Sequence, residues 1–242
     1  MKKTIAVVLA VLGAVAAKDG VAGLALPHLV NYVPSQTFVP PGFDDNDRAQ
    51  VVITGYYPNT CFKQGPTTAT VNEVSHQVLI QHQAYHYESS WCLQMLVPYQ
   101  ETVDLGILGS GEYQIYAVDE SGKKSRASAI SVALAKSVEP DESLYAPVEQ
   151  AYVEKNAAGG PTLVLGGNFS SPCVQLKEVK LLHRKKDVVE VLPIAVVRET
   201  SGCESLPRSF EKRVKLPTDL SGSNLIYIRS LNGNAVTRVV EF

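Results

Sequence analysis

Few residues in this chain of 242 combine the type and the spacing that chemistry needs. The densest polar cluster is Asp44-Asp45-Asn46-Asp47. Calcium takes about six to eight oxygen ligands, and closely spaced acids beside a domain start can supply several of them. Asp44, Asp45 and Asp47 are therefore the candidate metal ligands, with calcium the candidate cofactor and no other cofactor expected. No EF-hand loop follows, and the competing reading is a solvated turn whose Asp and Asn side chains bond local backbone. The second cluster is Gln81-His82-Gln83-Ala84-Tyr85-His86-Tyr87. On a strand, His82 and His86 share one face while Tyr85 and Tyr87 share the other. Two imidazoles on one face suit zinc or copper, but no third ligand is visible at this spacing. Tyr85 and Tyr87, with Tyr56 and Tyr57, offer apolar faces with polar tips, a candidate surface for sugar or protein. Packing in the core is the alternative use of those rings. His183-Arg184-Lys185-Lys186 is the last candidate. On a hairpin tip it would face an anionic surface, and the plainer role of such charges is to discourage edge-to-edge pairing.

Signatures of catalysis are missing from the sequence. It has no G-x-S-x-G elbow, P-loop or dinucleotide fingerprint. The expectation is a protein that is not an enzyme, with a hydrolase as the residual alternative.

The elements that must position these residues are written twice. Val51 to Cys61 reads VVITGYYPNTC and Leu163 to Cys173 reads LVLGGNFSSPC. Gly55 and Gly167 stand at the same distance before their cysteines. A second cysteine follows 31 residues later in the first copy (Cys92) and 30 later in the second (Cys203). Tyr99 and Phe210 then recur at one spacing, followed by ETVDL or KRVKL. Four cysteines allow three pairings, and the repeat selects Cys61–Cys92 and Cys173–Cys203. Each bridge would stabilise its domain by roughly 3–4 kcal/mol in the chain-entropy model. A metal site or reactive thiol is the other use of cysteine, but no C-x-x-C occurs and no His lies at ligand spacing.

Residues 1–17 have the pattern of a secretory signal: Lys2 and Lys3, an apolar stretch, then Ala14-Val15-Ala16. The apolar stretch is too short to span ~30 Å of hydrocarbon. The expectation is an exported chain, periplasmic or extracellular, with no transmembrane segment after the signal. Such compartments favour disulfides. Charge is uneven: residues 18–159 carry 8 basic and 16 acidic side chains, and residues 160–242 carry 12 and 8. An ordinary solvated surface accounts for this, and attraction between the halves is the alternative. An exported chain with so few basic residues is not expected to bind nucleic acid.

Short alternating runs rich in Val, Ile and Tyr, punctuated by Gly, Pro, Asn and Ser, predict strands throughout. The predicted class is all-β: two tandem immunoglobulin-like β-sandwich domains, each with one internal disulfide. The boundaries are 18–35 for a loosely held N-terminal segment, 36–135 for the first sandwich, 136–149 for a linker and 150–242 for the second sandwich. Leu108-x-x-Gly111-x-Tyr113 has the form of a tyrosine corner, while the second copy keeps Leu220 and Gly222 without the Tyr. Trp91 is expected to pack on the neighbouring Cys92 bridge.

G-Y-Y-P-N-T-C at 55–61 and P-Y-x-x-x-V-x-L-G-x-L-x-x-G-x-Y at 98–113, with weaker second copies, resemble exported bacterial proteins built from tandem immunoglobulin-like modules. The resemblance covers most of residues 50–242. It implies a fold and an exported setting, and it supplies no catalytic residue. The functional expectation is a non-enzymatic binding or structural module of the bacterial cell envelope. Its partner would be a protein or glycan, met through loops or sheet edges. The alternative is a secreted inhibitor of a protease or other hydrolase.

Overall fold

The protein is described from a computed structural model. It covers residues 26–88, 91–138, 141, 143–155, 159–198 and 203–242. The predicted signal at 1–17 lies outside the described residues. Among the described residues the structure is strand and loop, with one 3-10 turn at Leu231–Gly233. Among the described residues no helix is long and apolar enough to cross a membrane.

The first unit holds β1 (His28–Asn31), β2 (Gln36–Phe38), β3 (Phe43–Asp44), β4 (Arg48–Tyr57), β5 (Phe62–Asn72), β6 (Gln77–His86), β7 (Val97–Ile107), β8 (Gly111–Val118) and β9 (Lys124–Ala133). The second holds β10 (Val148–Glu154), β11 (Thr162–Phe169), β12 (Val174–Lys185), β13 (Val188–Val197), β14 (Arg208–Lys215), β15 (Ser223–Arg229) and β16 (Ala235–Glu241). Each unit is a two-sheet sandwich. In the first, β2-β4-β7 faces β1-β6-β8-β9-β3, with β5 also paired to β6. In the second, β10-β11-β14 faces β12-β13-β15-β16. Both copies pair the second strand of a hairpin parallel to a later strand, β6 with β8 and β13 with β15. The two disulfides are Cys61–Cys92 and Cys173–Cys203, one inside each unit.

Three segments depart from the sequence reading. Residues 18–35 were expected to be loosely held, yet β1 pairs antiparallel with β6 from His28↔His86 to Asn31↔Gln83. The 136–149 stretch is not all linker. Tyr145 bridges to Ile194, Ala146 is buried, and β10 begins at Val148. β5 had no alternating apolar signal because none of its residues is fully buried, and Gly65-Pro66 lies at its register shift.

The repeat has a local physical basis. Asn59 Oδ1 accepts the Cys61 N–H at 2.9 Å, and Ser171 Oγ accepts the Cys173 N–H at 3.2 Å. A short polar side chain two residues before each cysteine thus closes the turn. The carbonyl of Cys61 accepts from Tyr87 N–H, and that of Cys173 from Arg198 N–H. Gly55 lies opposite Tyr99 on the neighbouring strand, and Gly167 opposite Phe210. A Cβ on Gly55 would meet the Tyr99 ring at 2.5–2.7 Å, and one on Gly167 would meet Phe210 at 3.0 Å and the Pro147 carbonyl at 1.9 Å. Glycine is what lets each aromatic ring lie across the strand. The tyrosine corner is present: Tyr113 is buried and its hydroxyl is hydrogen-bonded to the Gly109 backbone. In the second copy, buried Asn224 fills the matching place and donates to the carbonyls of Ser221 and Gly222.

The units are packed together through the outer faces of β2-β4-β7 and β12-β13-β15-β16. Leu225 and Tyr227 of β15 and Val188 of β13 join the first unit's core, whereas Ile226, Ile228, Val189 and Val191 fill the second unit's own core. Both faces of β13 and β15 are therefore covered, which is why they read as nearly continuous apolar runs. Gln100 donates to Thr237 and accepts the Val239 N–H at 2.9 Å, and Thr102 bonds Thr237 at 2.9 Å.

Arg229 lies at the end of this interface with its side chain 8% exposed. Its guanidinium meets Asp47 at 3.3 Å, Glu190 at 3.2 Å and Asp141 at 3.7 Å. It also donates to the Gly42 carbonyl and stands over the Phe43 ring at 5.5 Å. Burial works against its charge, but Asp47, Tyr227 and Glu190 raise its pKa on balance. At Asp47 the balance goes the other way, and desolvation raises the carboxyl pKa despite Arg229. A buried ion pair is costly to assemble, and removing one partner strands the other. Arg229→Ala is expected to destabilise the whole chain by about 3–5 kcal/mol in urea unfolding. Arg229→Lys should recover only part of this, because an ammonium cannot reproduce the planar fork.

Candidate functional site

The features around the Cys61–Cys92 bridge come to one end of the first sandwich. β4 ends there at Tyr57, and β5 begins there at Phe62. β6 ends there at His86, and the Cys92 loop enters β7. Beneath the bridge lies a closed polar network. Tyr57 Oη meets His82 Nε2 at 3.0 Å, and Thr67 Oγ1 meets His82 Nδ1 at 2.7 Å. Thr67 donates to Glu101 at 2.6 Å, and Gln64 donates to the same oxygen at 3.1 Å. The self-consistent pattern has His82 protonated on Nδ1, donating to Thr67 and accepting from Tyr57. Tyr99 stacks on both Tyr57 and His82 with centroids 4.6 Å apart, and Tyr32 meets Tyr57 edge-on at 5.2 Å. His82 and Tyr57 are 0% and 2% exposed. This hydroxyl–imidazole–carboxylate series therefore braces the pole from within.

The surface above the network is of another kind. Trp91, Leu93, Met95 and Leu96 are 88%, 65%, 54% and 63% exposed. Their backbone is nevertheless held: Leu93 accepts from the Thr60 N–H at 3.1 Å, and its own N–H donates to Thr60 Oγ1 at 3.0 Å. The adjoining Cys92 ties the loop covalently to Cys61. Large apolar side chains are thus displayed on a pinned loop. Trp91 was expected to pack on the bridge, and the structure turns it to solvent instead. Neighbouring apolar residues in a loop give no periodic signal from which their exposure can be read.

The residues singled out in the sequence are dispersed. Tyr85 and Tyr87 stay partly exposed near the first bridge. Tyr56 and Tyr57 point to opposite faces of β4, as strand geometry requires. Tyr56 is exposed in a groove of about 430 Å³ between the units, also lined by Gln36, Gln100, Ser223 and Glu241, whereas Tyr57 is core. His82 and His86 share one face of β6, as expected, but differ in depth: His82 joins the buried network, and His86 lies beside His28 at its margin.

The cationic hairpin tip is partly used inside the molecule. Lys185 Nζ donates to the Val39 carbonyl at 3.0 Å, and desolvation lowers its pKa. His183 Nε2 meets the Lys186 carbonyl, and Lys186 is exposed. The side chain of Arg184 lies outside the described residues.

The acidic run is a structured turn. Asp44 Oδ1 accepts the Asn46 N–H, Asp45 Oδ1 accepts the Ala135 N–H at 2.8 Å, and Asp47 meets Arg229. The carboxylates of Asp44, Asp45 and Asp47 serve three different partners and do not converge on one point. Among the described residues no group of three or more His, Cys, Asp or Glu side chains is arranged to hold a metal ion.

Residues 51–125 match the family model described as the ORF11 beta-sandwich domain. The match runs from β4 into β9 and includes the Cys61–Cys92 loop, so this part of the chain is similar to a known β-sandwich module. No curated protein and no solved structure matches the chain.

Two outcomes follow from the buried network. The Tyr99 hydroxyl is buried without a hydrogen-bond partner, and the second copy has Phe210 in its place. Tyr99→Phe should therefore leave stability unchanged or raise it by up to about 1 kcal/mol in urea unfolding. Burial disfavours the Glu101 carboxylate, but His82, Thr67 and Gln64 more than offset this and hold its pKa below the ordinary 4.5. A lowered folded pKa means stabilisation that is present above the unfolded value and lost as pH falls through the folded one. Thermal unfolding across the acid range should accordingly show a shallower loss of Tm for Glu101→Gln than for the unchanged protein.

Proposed function

We propose that this is an exported, non-enzymatic binding module, and that the Cys61–Cys92 pole makes the contact. The observation that carries the reading is the loop 91–96, whose backbone is bonded to Thr60 and bridged to Cys61 while its large apolar side chains face solvent. Rigid display of Trp and Leu lowers the entropic cost of association, and Trp is the residue type most enriched among binding hot spots. Tyr85 and Tyr87 extend the same surface with polar-tipped rings. Export is supported by the signal pattern at 1–17 together with two bridges that form in oxidising compartments. The bacterial cell envelope, with a protein or glycan partner, is the setting this combination suits.

A secreted inhibitor of a protease or other hydrolase is the second reading. The braced, protruding loop favours it, because inhibitors commonly offer a rigid apolar residue to an enzyme's cleft.

Immobilised disulfide-bonded protein should capture a specific envelope or secreted component, identified by mass spectrometry. Trp91→Ala should weaken that capture by about 2 kcal/mol without lowering Tm. Undiminished capture by Trp91→Ala would remove the loop from the contact. A captured hydrolase that loses activity on binding would select the inhibitor reading.

A further inference from the structure

The groove beside Tyr56 has walls from both units, and strand register sets them out. Tyr56 of β4 stands opposite Pro98 of β7. Two residues back along β4, on the same face, Thr54 stands opposite Gln36 of β2. The second unit contributes Ser223 and Glu241, which pair across β15 and β16. We propose that this groove binds a neutral oligosaccharide, with one sugar ring stacked on Tyr56.

The lining matches the chemistry of a pyranose, which has an apolar C–H face and a rim of hydroxyls that donate and accept. Tyr56 is 55% exposed and offers an apolar ring face with a polar tip. The side chains of Ser35, Gln36, Tyr56, Ser223 and Glu241 have no hydrogen-bond or ion-pair partner among the described residues, so their polar groups are available to a ligand. Each of them can accept from a sugar hydroxyl, and all but the carboxylate can donate to one. Glu241 is the one charged side chain among the described residues of the lining. Its two oxygens suit a pair of neighbouring hydroxyls, and its charge disfavours an anionic ligand. The ammonium of Lys155 is committed to the Glu241 main-chain carbonyl at 2.6 Å.

The groove is built by contacts that need no ligand. Gln100, opposite Thr54, donates to Thr237 and accepts the Val239 N–H at 2.9 Å, which ties β7 to β16 where both line the groove. Its volume of about 430 Å³ and its place at a junction of two units are those of small-ligand sites, which occupy roughly 300–1,000 Å³. Trp91 and the rest of loop 91–96 are not part of this lining. The groove is therefore a second site, and it does not depend on what the Cys61–Cys92 pole contacts.

The test is isothermal titration and saturation-transfer NMR of the disulfide-bonded full chain with neutral di- and trisaccharides of glucose, galactose, mannose and N-acetylglucosamine. At least one of these should bind saturably, with the C–H protons of one ring receiving most of the transferred saturation. Tyr56→Ala should weaken that binding about tenfold or more, and Tyr56→Phe, which keeps the ring, should weaken it less. Glu241→Ala should weaken it as well. Trp91→Ala should bind as the unchanged protein does, which separates this groove from the pole. Tyr56 and Glu241 are both exposed, so their variants should unfold in urea at the unchanged midpoint. No saturable binding to any of these saccharides, or unchanged affinity in Tyr56→Ala, would overturn the proposal. Loss of binding in Trp91→Ala would overturn it too, by moving the saccharide to the pole.

Discussion

A guanidinium buried among Asp47, Asp141 and Glu190 fixes how the two sandwiches meet. An apolar interface alone tolerates sliding, because dispersion and area burial have little direction. Arg229 adds direction. It reaches a carbonyl and a carboxylate in the first unit and a carboxylate on its own sheet. Its neighbour Tyr227 meets Phe43 edge-on with centroids 6.0 Å apart, so ion pairing and ring packing are satisfied in one register. The basic half of the chain thus supplies a cation to the acidic half at the point where the halves are packed, and the charge asymmetry has an internal use there.

With the sheets stacked in this way, the remaining surfaces follow. The outer faces of β4 and β15 are consumed by the interface, and the central strands of the second unit are apolar on both sides. Among the surfaces left exposed is the pole of each sandwich that carries a disulfide. In the first unit the pole is stiffened from beneath by the Tyr57–His82–Thr67–Glu101 series and by the rings of Tyr32 and Tyr99. A loop mounted on that base can hold Trp91 and Leu93 in solvent without collapsing onto them. The second unit uses the same Gly–aromatic crossing and the same polar residue before its cysteine. Its cysteine loop displays Leu206 but no Trp. The two copies therefore share their construction and differ in what they present.

Polar residues in the first unit divide by strand face and by depth along the strand. One step along β4 separates exposed Tyr56 from buried Tyr57, and four steps along β6 take His82 in the core to His86 at its margin. Identical residue types thus become buried brace or exposed surface according to face and depth, and composition alone does not distinguish them.

The sequence by itself determined what depends on local spacing. Alternation marked most strands, because one side of each faces a core. The repeated Gly-to-Cys distance gave both disulfides, because each bridge closes a loop of nearly equal length in a repeated unit. Leu108, Gly111 and Tyr113 announced the corner in the first copy, whereas Asn224 went unrecognised because an amide does that work there with a different side chain. Only the tertiary structure decided the pairs that are distant along the chain. Asp47 and Arg229 are 182 residues apart, and His28 and His86 are 58 apart. No periodicity links such residues. They meet because strand register and the stacking of four sheets bring them together, and those follow from the packing of the whole chain.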